Sequence, residues 1–198
     1  MKLFASPATH FGRKVRLLLD HLELDYELTM IANVAVVQAD ELNGNPMRAV
    51  PVLEDGDLTL FESDHIAQYI VRTYAPEDTY DVLTTEPETL NIRAVLNGNM
   101  SNEVKLVMGA RTGIDIDGKP YFDKARACLE GGMRWLEARA DAFGREKLSY
   151  LDFHLVSSWD HLVAYEVIPM DYPALAAKVE KISQSEVVRQ TLPPKPNF

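Results

Sequence analysis

Residues 45–70 read NPMRAVPVLEDGDLTLFESDHIAQYI, and this run decides the fold. Two short apolar segments, VPVLE and LTLFE, flank Asp55-Gly56-Asp57. Asp-Gly takes positive φ readily, so the pattern predicts a β-hairpin. Ser63 follows the second strand at a helix-capping position, and the apolar spacing carries that helix to about Tyr74, which Pro76 helps to end. Strand, turn, strand and helix are thus compressed into about thirty residues.

Upstream, KLFAS reads as a strand, and Phe11, Val15, Leu18, Leu19 and Leu22 recur at helical spacing. DYELTMI places Tyr26, Leu28 and Met30 on one face of a second strand. A strand, a helix and a strand at these separations form a βαβ unit with parallel strands. An irregular or weakly helical piece, 32–44, connects it to the hairpin.

Downstream of Pro87 every segment has helical period. Ile92, Val95, Leu96, Met100, Val104 and Val107 mark one long helix, and Phe122, Ala125, Leu129, Leu136, Ala140 and Phe143 mark another, with TGIDIDGKP as the loop between. In LSYLDF, Ser149 and Asp152 have capping-box spacing, and Leu148 and Phe153 have the spacing of a hydrophobic staple, so a third helix starts there. Tyr172, Leu175, Ala176, Val179 and Ile182 mark a fourth, and Pro193, Pro194 and Pro196 end helical structure. The fold class is α+β: a βαβ-ββα domain over 1–76, a linker over 77–86, and an all-α domain over 87–198.

The composition narrows the partners. Thirty acidic against twenty basic residues give a net charge of −10, with no basic block of the kind a phosphate backbone requires, so nucleic acid is excluded as an expected partner. No apolar run reaches membrane-spanning length and the first ten residues lack a signal-peptide pattern, which points to a cytoplasmic protein without a membrane partner. Cys128 is the sole cysteine, so neither a disulfide nor a CxxC pair can form within the chain. It falls near an apolar stripe and reads as a small core residue.

The order of elements, with SPATHFGRKVRLLLDHLEL, NPMRAVPVLEDGDLTLFESDHIAQYI and LSYLDF at their places in it, resembles the glutathione S-transferase superfamily. The resemblance covers nearly the whole chain. It implies a thioredoxin-like first domain, a helical-bundle second domain, glutathione as co-substrate, no metal, and a homodimer. It further implies a cis Val50-Pro51 bond, with the Val50 N–H and C=O pairing with the cysteinyl backbone of glutathione, as a strand edge takes an added strand. Ser63, at a helix N-terminus, suits the γ-glutamyl carboxylate, and Glu62 suits the ligand's ammonium group. Thr9 falls where Ser-type members carry the catalytic hydroxyl, and Ser6 is the alternative. A hydroxyl at a helix N-terminus can stabilise a thiolate without taking its proton. Thr9 can also be read as a helix cap alone.

Relatives place Lys or His where Val36 and Val37 stand, and Lys or Gln where Ala49 stands; Gln38 and Arg48 are the substitutes within reach for the glycine carboxylate of glutathione. The second substrate, a small and mostly apolar electrophile, is expected near Asn99, Glu103, Val107 and Met108 on the long helix. His10 reads as a solvated first-turn residue, and His65, His154 and His161 as ordinary helix residues. The expected activity is attack by bound glutathione, as its thiolate, on that electrophile. Two alternatives stand beside it: isomerisation, dehalogenation or ether cleavage with glutathione on the same fold, and a non-catalytic interaction protein.

Overall fold

The computed structural model describes residues 1–194. Its first half runs β1 (Lys2–Ala5), α1 (His10–His21), β2 (Glu27–Met30), β3 (Val52–Asp55), β4 (Leu58–Phe61) and α2 (Ser63–Tyr74). Helices α3 (Pro87–Arg111), α4 (Pro120–Glu137), α5 (Tyr150–Tyr165), α6 (Pro173–Ile182) and α7 (Glu186–Gln190) follow. A thioredoxin-like domain therefore precedes a helical domain. Pro196, assigned by the sequence to the end of helical structure, lies outside the described residues.

The sheet has the order β2-β1-β3-β4, with β1 parallel to β2 and the other pairs antiparallel. Alternation along β1 sends Leu3 and Ala5 into the main core with Leu53, beside Val15, Leu18 and Leu19 of α1 and Ile66 and Ile70 of α2. Phe4 and Val52 point the other way, where Val37 and Leu42 of the connecting segment cover them as a second, smaller cluster. Most of that segment is irregular, with one 3-10 turn at Asp40–Leu42.

The hairpin loop is Gly56-Asp57, with Asp55 paired to Leu58 as the last strand residue and positive φ at Gly56. Positive φ thus falls on the residue without a Cβ, at the first loop position, rather than on Asp55. The second long helix stops at Glu137, short of Phe143, because the chain tightens into a 3-10 turn at Ala140–Ala142. Phe143 is nonetheless fully buried. The capping box is made: Ser149 N donates to Asp152 Oδ2 at 2.7 Å and Asp152 N lies against Ser149. Helix α7 left no signal in the sequence, since five residues with Val188 alone buried are too few for periodicity.

The two domains meet along α1, which packs on α5, while α3 packs on both α4 and α5. Arg13 clamps that seam, donating to Val156 O at 3.0 Å, Asp160 Oδ2 at 2.7 Å, Thr191 Oγ1 at 3.1 Å and Val188 O at 3.2 Å. Among the described residues no helix is long and apolar enough to cross a membrane.

Candidate active site

Val50, Pro51, Glu62 and Ser63 wall one cavity of about 270 Å3, together with Phe11 and Asn45. The Val50-Pro51 peptide is cis. Val50 stands two residues before Val52, where β3 starts its pairing with β1 and β4, so its backbone faces the cavity outside the ladder. Asn45 shapes this rim: its Nδ2 donates to Ala49 O at 2.8 Å and its Oδ1 accepts from Met47 N at 3.0 Å. The sequence reading passed over Asn45, although Asn-Pro is itself a turn signal whose side chain bonds backbone two residues on.

Ser63 is not the cap of α2. It is the first helical residue, and Glu62 caps the helix, accepting from Asp64 N at 3.0 Å and His65 N at 3.3 Å through Oε2 and from Ser63 Oγ at 3.0 Å through Oε1. The cap holds Glu62 at φ 74°, a left-handed conformation that costs a non-glycine residue on the order of 1–3 kcal/mol. The longer Glu side chain wins the capping role because from this backbone angle it reaches two N–H groups at once. A negative charge also complements the positive end of the helix dipole.

Behind the cap lies a buried polar network. Lys14 Nζ on α1 donates to Asp64 Oδ1 at 2.6 Å and Asn97 Oδ1 at 3.1 Å, and it also meets His154 Nε2. Asn97 Nδ2 and Tyr150 OH donate to the same Asp64 carboxylate, at 2.7 and 3.1 Å. Burial lowers the Lys14 ammonium to about 8 against the opposing pull of Asp64. Asp64 is held well below the usual carboxylate range: burial would raise it, and the neighbouring His154 and Lys14 outweigh that. Burial pushes His154 well below its ordinary value, with the Lys14 ammonium acting the same way and Asp64 opposing. The first turn of α2 is thereby tied to α1, α3 and α5.

A second cavity, of about 240 Å3, opens on the other side of the first turn of α1. Ser6, Thr9, Val107 and Met108 line it, with Arg111 and His161. Thr9 sits at the N-cap position of α1 but makes no side-chain cap hydrogen bond, and its buried Oγ1 has no partner among the described residues. Gly12 makes room for it, since a Cβ there would come within 3.1 Å of Thr9 Oγ1. Ser6 Oγ instead accepts from Ala8 N at 3.4 Å.

Asn99 and Glu103 do not line this cavity. Asn99 is buried where α3 meets α4, its Oδ1 filling the space that a side chain at Gly132 would need. Glu103, fully buried, belongs to a cluster that sequence reasoning missed. Its Oε1 lies 2.6 Å from His161 Nδ1, and its Oε2 faces His10 Nε2 at 3.3 Å without the alignment of a hydrogen bond. His10 is thus a buried residue and not a solvated one, and His161 is a cavity residue. Three helices bring these side chains together, which no local spacing records. Their donor atoms lie within 4.8 Å of one another, yet 2.6 Å is well under the about 3.3 Å that separates two ligands of a tetrahedral zinc ion. In this arrangement the cluster is a hydrogen-bonded unit.

Other expected positions fall outside both cavities. Gln38 turns onto its own segment, with Nε2 donating to Val36 O at 2.7 Å and its N–H to Glu41 Oε1 at 2.8 Å. Arg48 is exposed and is not a wall residue. Val37 is a core residue, while Val36 is exposed. Cys128 is exposed as well, because the buried stripe of α4 is Ala125, Leu129, Met133 and Leu136, and position 128 falls beside it.

Residues 3–78 match the family model described as glutathione S-transferase, N-terminal domain. Glutathione S-transferase APIC of Nicotiana tabacum is 35% identical over 97 residues, which are 48% of this chain and 45% of that protein. Glutathione S-transferase 4 of Zea mays is 38% identical over 79 residues, covering 39% and 35% of the two chains. The matched stretch thus spans less than half the length of these curated relatives. Among solved structures, a glutathione S-transferase from Methylobacterium radiotolerans in complex with glutathione sulfonate superposes with a TM-score of 0.83 at 16% identity, covering 100% of this chain and 96% of that one. One from Methylobacillus flagellatus with glutathione bound gives 0.80 at 21% identity, covering 98% and 99%. The cis-proline rim and the acidic cap lie inside the residues that match the glutathione S-transferase N-terminal domain model, and the whole chain follows the fold of these solved structures.

Proposed function

We propose that the chain is a glutathione transferase that binds glutathione in the first cavity and turns its thiol toward the N-terminus of α1 for attack on a small electrophile in the second. The observation that carries this reading is the convergence of Val50, Glu62 and Ser63 on one wall. Together they offer a strand edge, a carboxylate and a helix N-terminus, one for each polar part of a γ-glutamyl dipeptide. Thr9 and Phe11, two residues apart, line different cavities, so the first turn of α1 stands between them. A thiol reaching across that turn meets the unpartnered Thr9 hydroxyl, with Ser6 as the alternative. The apolar walls at Ala8, Val104, Val107 and Met108 suit an apolar co-substrate. Gln38 stays a weaker candidate for the glycine carboxylate. We place the enzyme in the cytoplasm as a twofold homodimer, a reading that rests on the resemblance and on exposed Leu90 of α3.

Calorimetric titration with glutathione tests this. The wild type binds, and Ser63→Ala weakens binding by about 1.5–3 kcal/mol, the range for a hydrogen bond to a charged group. Absence of binding by the wild type removes the transferase reading and favours an interaction protein.

A further inference from the structure

His161 of the second cavity has the surroundings of a base. Its Nδ1 faces Glu103 Oε1 at 2.6 Å, and a carboxylate only accepts, so Nδ1 carries the proton and donates. In the neutral ring this tautomer leaves Nε2, on the edge turned away from Glu103, as the accepting nitrogen. His161 is held flat between two rings, His10 and Tyr165, each with its centroid 4.3 Å away. Rotation is therefore blocked, and a positive charge formed on the ring would lie against the face of Tyr165.

The charge behind it is unspent. Burial would raise Glu103, but the two facing imidazoles bring it below its ordinary value, so it is ionised. His10 cannot neutralise it: burial lowers that ring to about 4, and its Nδ1 accepts from Phe11 N at 3.1 Å. The groups that face His161 are Glu103 from α3, His10 from α1 and Tyr165 on its own helix. Arg111 and Thr9 share the cavity, and Lys14 acts on His10 from within α1. A buried carboxylate holding one nitrogen of an imidazole whose other nitrogen is a base is the arrangement that stabilises an imidazolium as it forms.

We infer that His161, positioned by Glu103, is the proton carrier of the second cavity, and that its co-substrates are α,β-unsaturated carbonyl compounds. This deepens the transferase reading and rests on it. Thr9 can hold a thiolate but cannot receive a proton, so the proton on sulfur needs another acceptor. The S–H bond breaks with its electron pair left on sulfur, and the proton goes to His161 Nε2. Sulfur then forms a bond to the β-carbon, and the C=C pair moves toward the carbonyl as an enolate. Arg111 and Asn33 on the cavity wall supply N–H donors for that oxygen. His161 returns its proton to the α-carbon, which restores the base; the net reaction is addition, with no leaving group and no further reactant. Displacement of a halide leaves the proton on the ring with no acceptor in the product, so the arrangement favours addition.

The test compares the wild type, His161→Gln, His161→Ala and Glu103→Gln. Each is assayed with glutathione and either an α,β-unsaturated methyl ketone or a dinitro-activated aryl chloride, after calorimetry has established glutathione binding. For the ketone, kcat in His161→Gln falls about 100-fold or more, as loss of a general acid–base does, and added imidazole restores part of it in His161→Ala. Glu103→Gln gives a smaller loss and moves the pH–rate profile, which a purely structural role would not. At pH values where free thiols ionise, about 8.5, His161→Gln regains activity on the aryl chloride but not on the ketone. In deuterium oxide the wild type places deuterium on one face of the α-carbon, and His161→Gln loses that selectivity. Equal losses on both substrates at all pH values, or unselective deuteration by the wild type, overturn the inference and leave the transferase reading standing. Failure of the wild type to bind glutathione overturns both.

Discussion

The two cavities flank one turn of helix and are built in opposite ways. The first is assembled from one continuous stretch, Asn45 to Ser63, with Phe11 added, and the polar groups it offers to the proposed ligand are backbone and the end of a helix. The second takes residues from the β1–α1 turn, the segment after β2, α3 and α5, and its polar groups are side chains. Backbone groups positioned by a hairpin and a cap suit a constant ligand, because little in them varies with sequence. Side chains gathered from separate elements can be exchanged one at a time, which suits a site whose co-substrate can change. The first cavity is nevertheless anchored on the second domain, through Asp64 and the Lys14 network behind it.

That anchoring gives the largest expected effect. Lys14→Met leaves the Asp64 carboxylate without its ammonium partner and should destabilise the fold by about 3–5 kcal/mol, as breaking one half of a buried pair does. Denaturant unfolding measures it. A loss under 1 kcal/mol would mean that the two cavities are mechanically independent.

The His10 cluster gives the next. The folded value of His10 is about 4 and the ordinary value 6.5, so between them the unfolded chain binds a proton that the folded chain refuses. Stability is therefore full above 6.5 and declines as pH falls toward 4, by an amount on the order of 3 kcal/mol for this group. His154 acts in the same direction in every variant with His10 replaced. Urea melts across this window should show a shallower decline for His10→Gln than for the wild type. Identical slopes would show that His10 does not sense acid.

Thr9 lines the second cavity, at the helix turn that stands between it and the first, and sharpens the contrast. A charge-assisted hydrogen bond of about 1.5–3 kcal/mol corresponds to roughly one to two units of thiol pKa. Thr9→Val should accordingly reduce turnover at neutral pH by about 10- to 100-fold and move the pH–rate profile upward, while Thr9→Ser keeps activity. Ser6→Ala should change little. The reverse pattern would move the thiolate contact to Ser6.

The smallest effect is expected at Gln38, whose side chain is engaged with its own segment. Gln38→Ala should leave glutathione affinity within about twofold, the scale of an exposed substitution. A tenfold loss in calorimetry would return Gln38 to the wall of the first cavity.

The sequence was most legible where structure is local. The hairpin, the capping box at Ser149 and Asp152, and the βαβ order each depend on residues a few positions apart, so spacing alone reports them. Even there the reading stopped one residue short at α2. Ser63 is the more usual cap, but the positive φ that lets Glu62 reach over the helix has no signature in a non-glycine residue. The His10–Glu103–His161 cluster was illegible for a different reason. Each member looks like an ordinary helix residue, and only the crossing of α1, α3 and α5 turns three buried polar side chains into one unit. Cys128 shows the same limit in miniature, since a shift of one position from Leu129 carries it from the stripe to the surface.

The cap of α2 has one more consequence, concerning selectivity. Glu62 is a tethered anion already seated on the N–H groups that a helix offers to any passing phosphate, sulfate or carboxylate. A free anion has to displace it and brings nothing that the displaced side chain wants. A zwitterion whose ammonium stands beside its carboxylate offers Glu62 a new partner as it leaves. On the proposed reading the cap would act as a filter that admits amino-acid head groups and turns away simple anions, in a chain whose net charge of −10 already repels them.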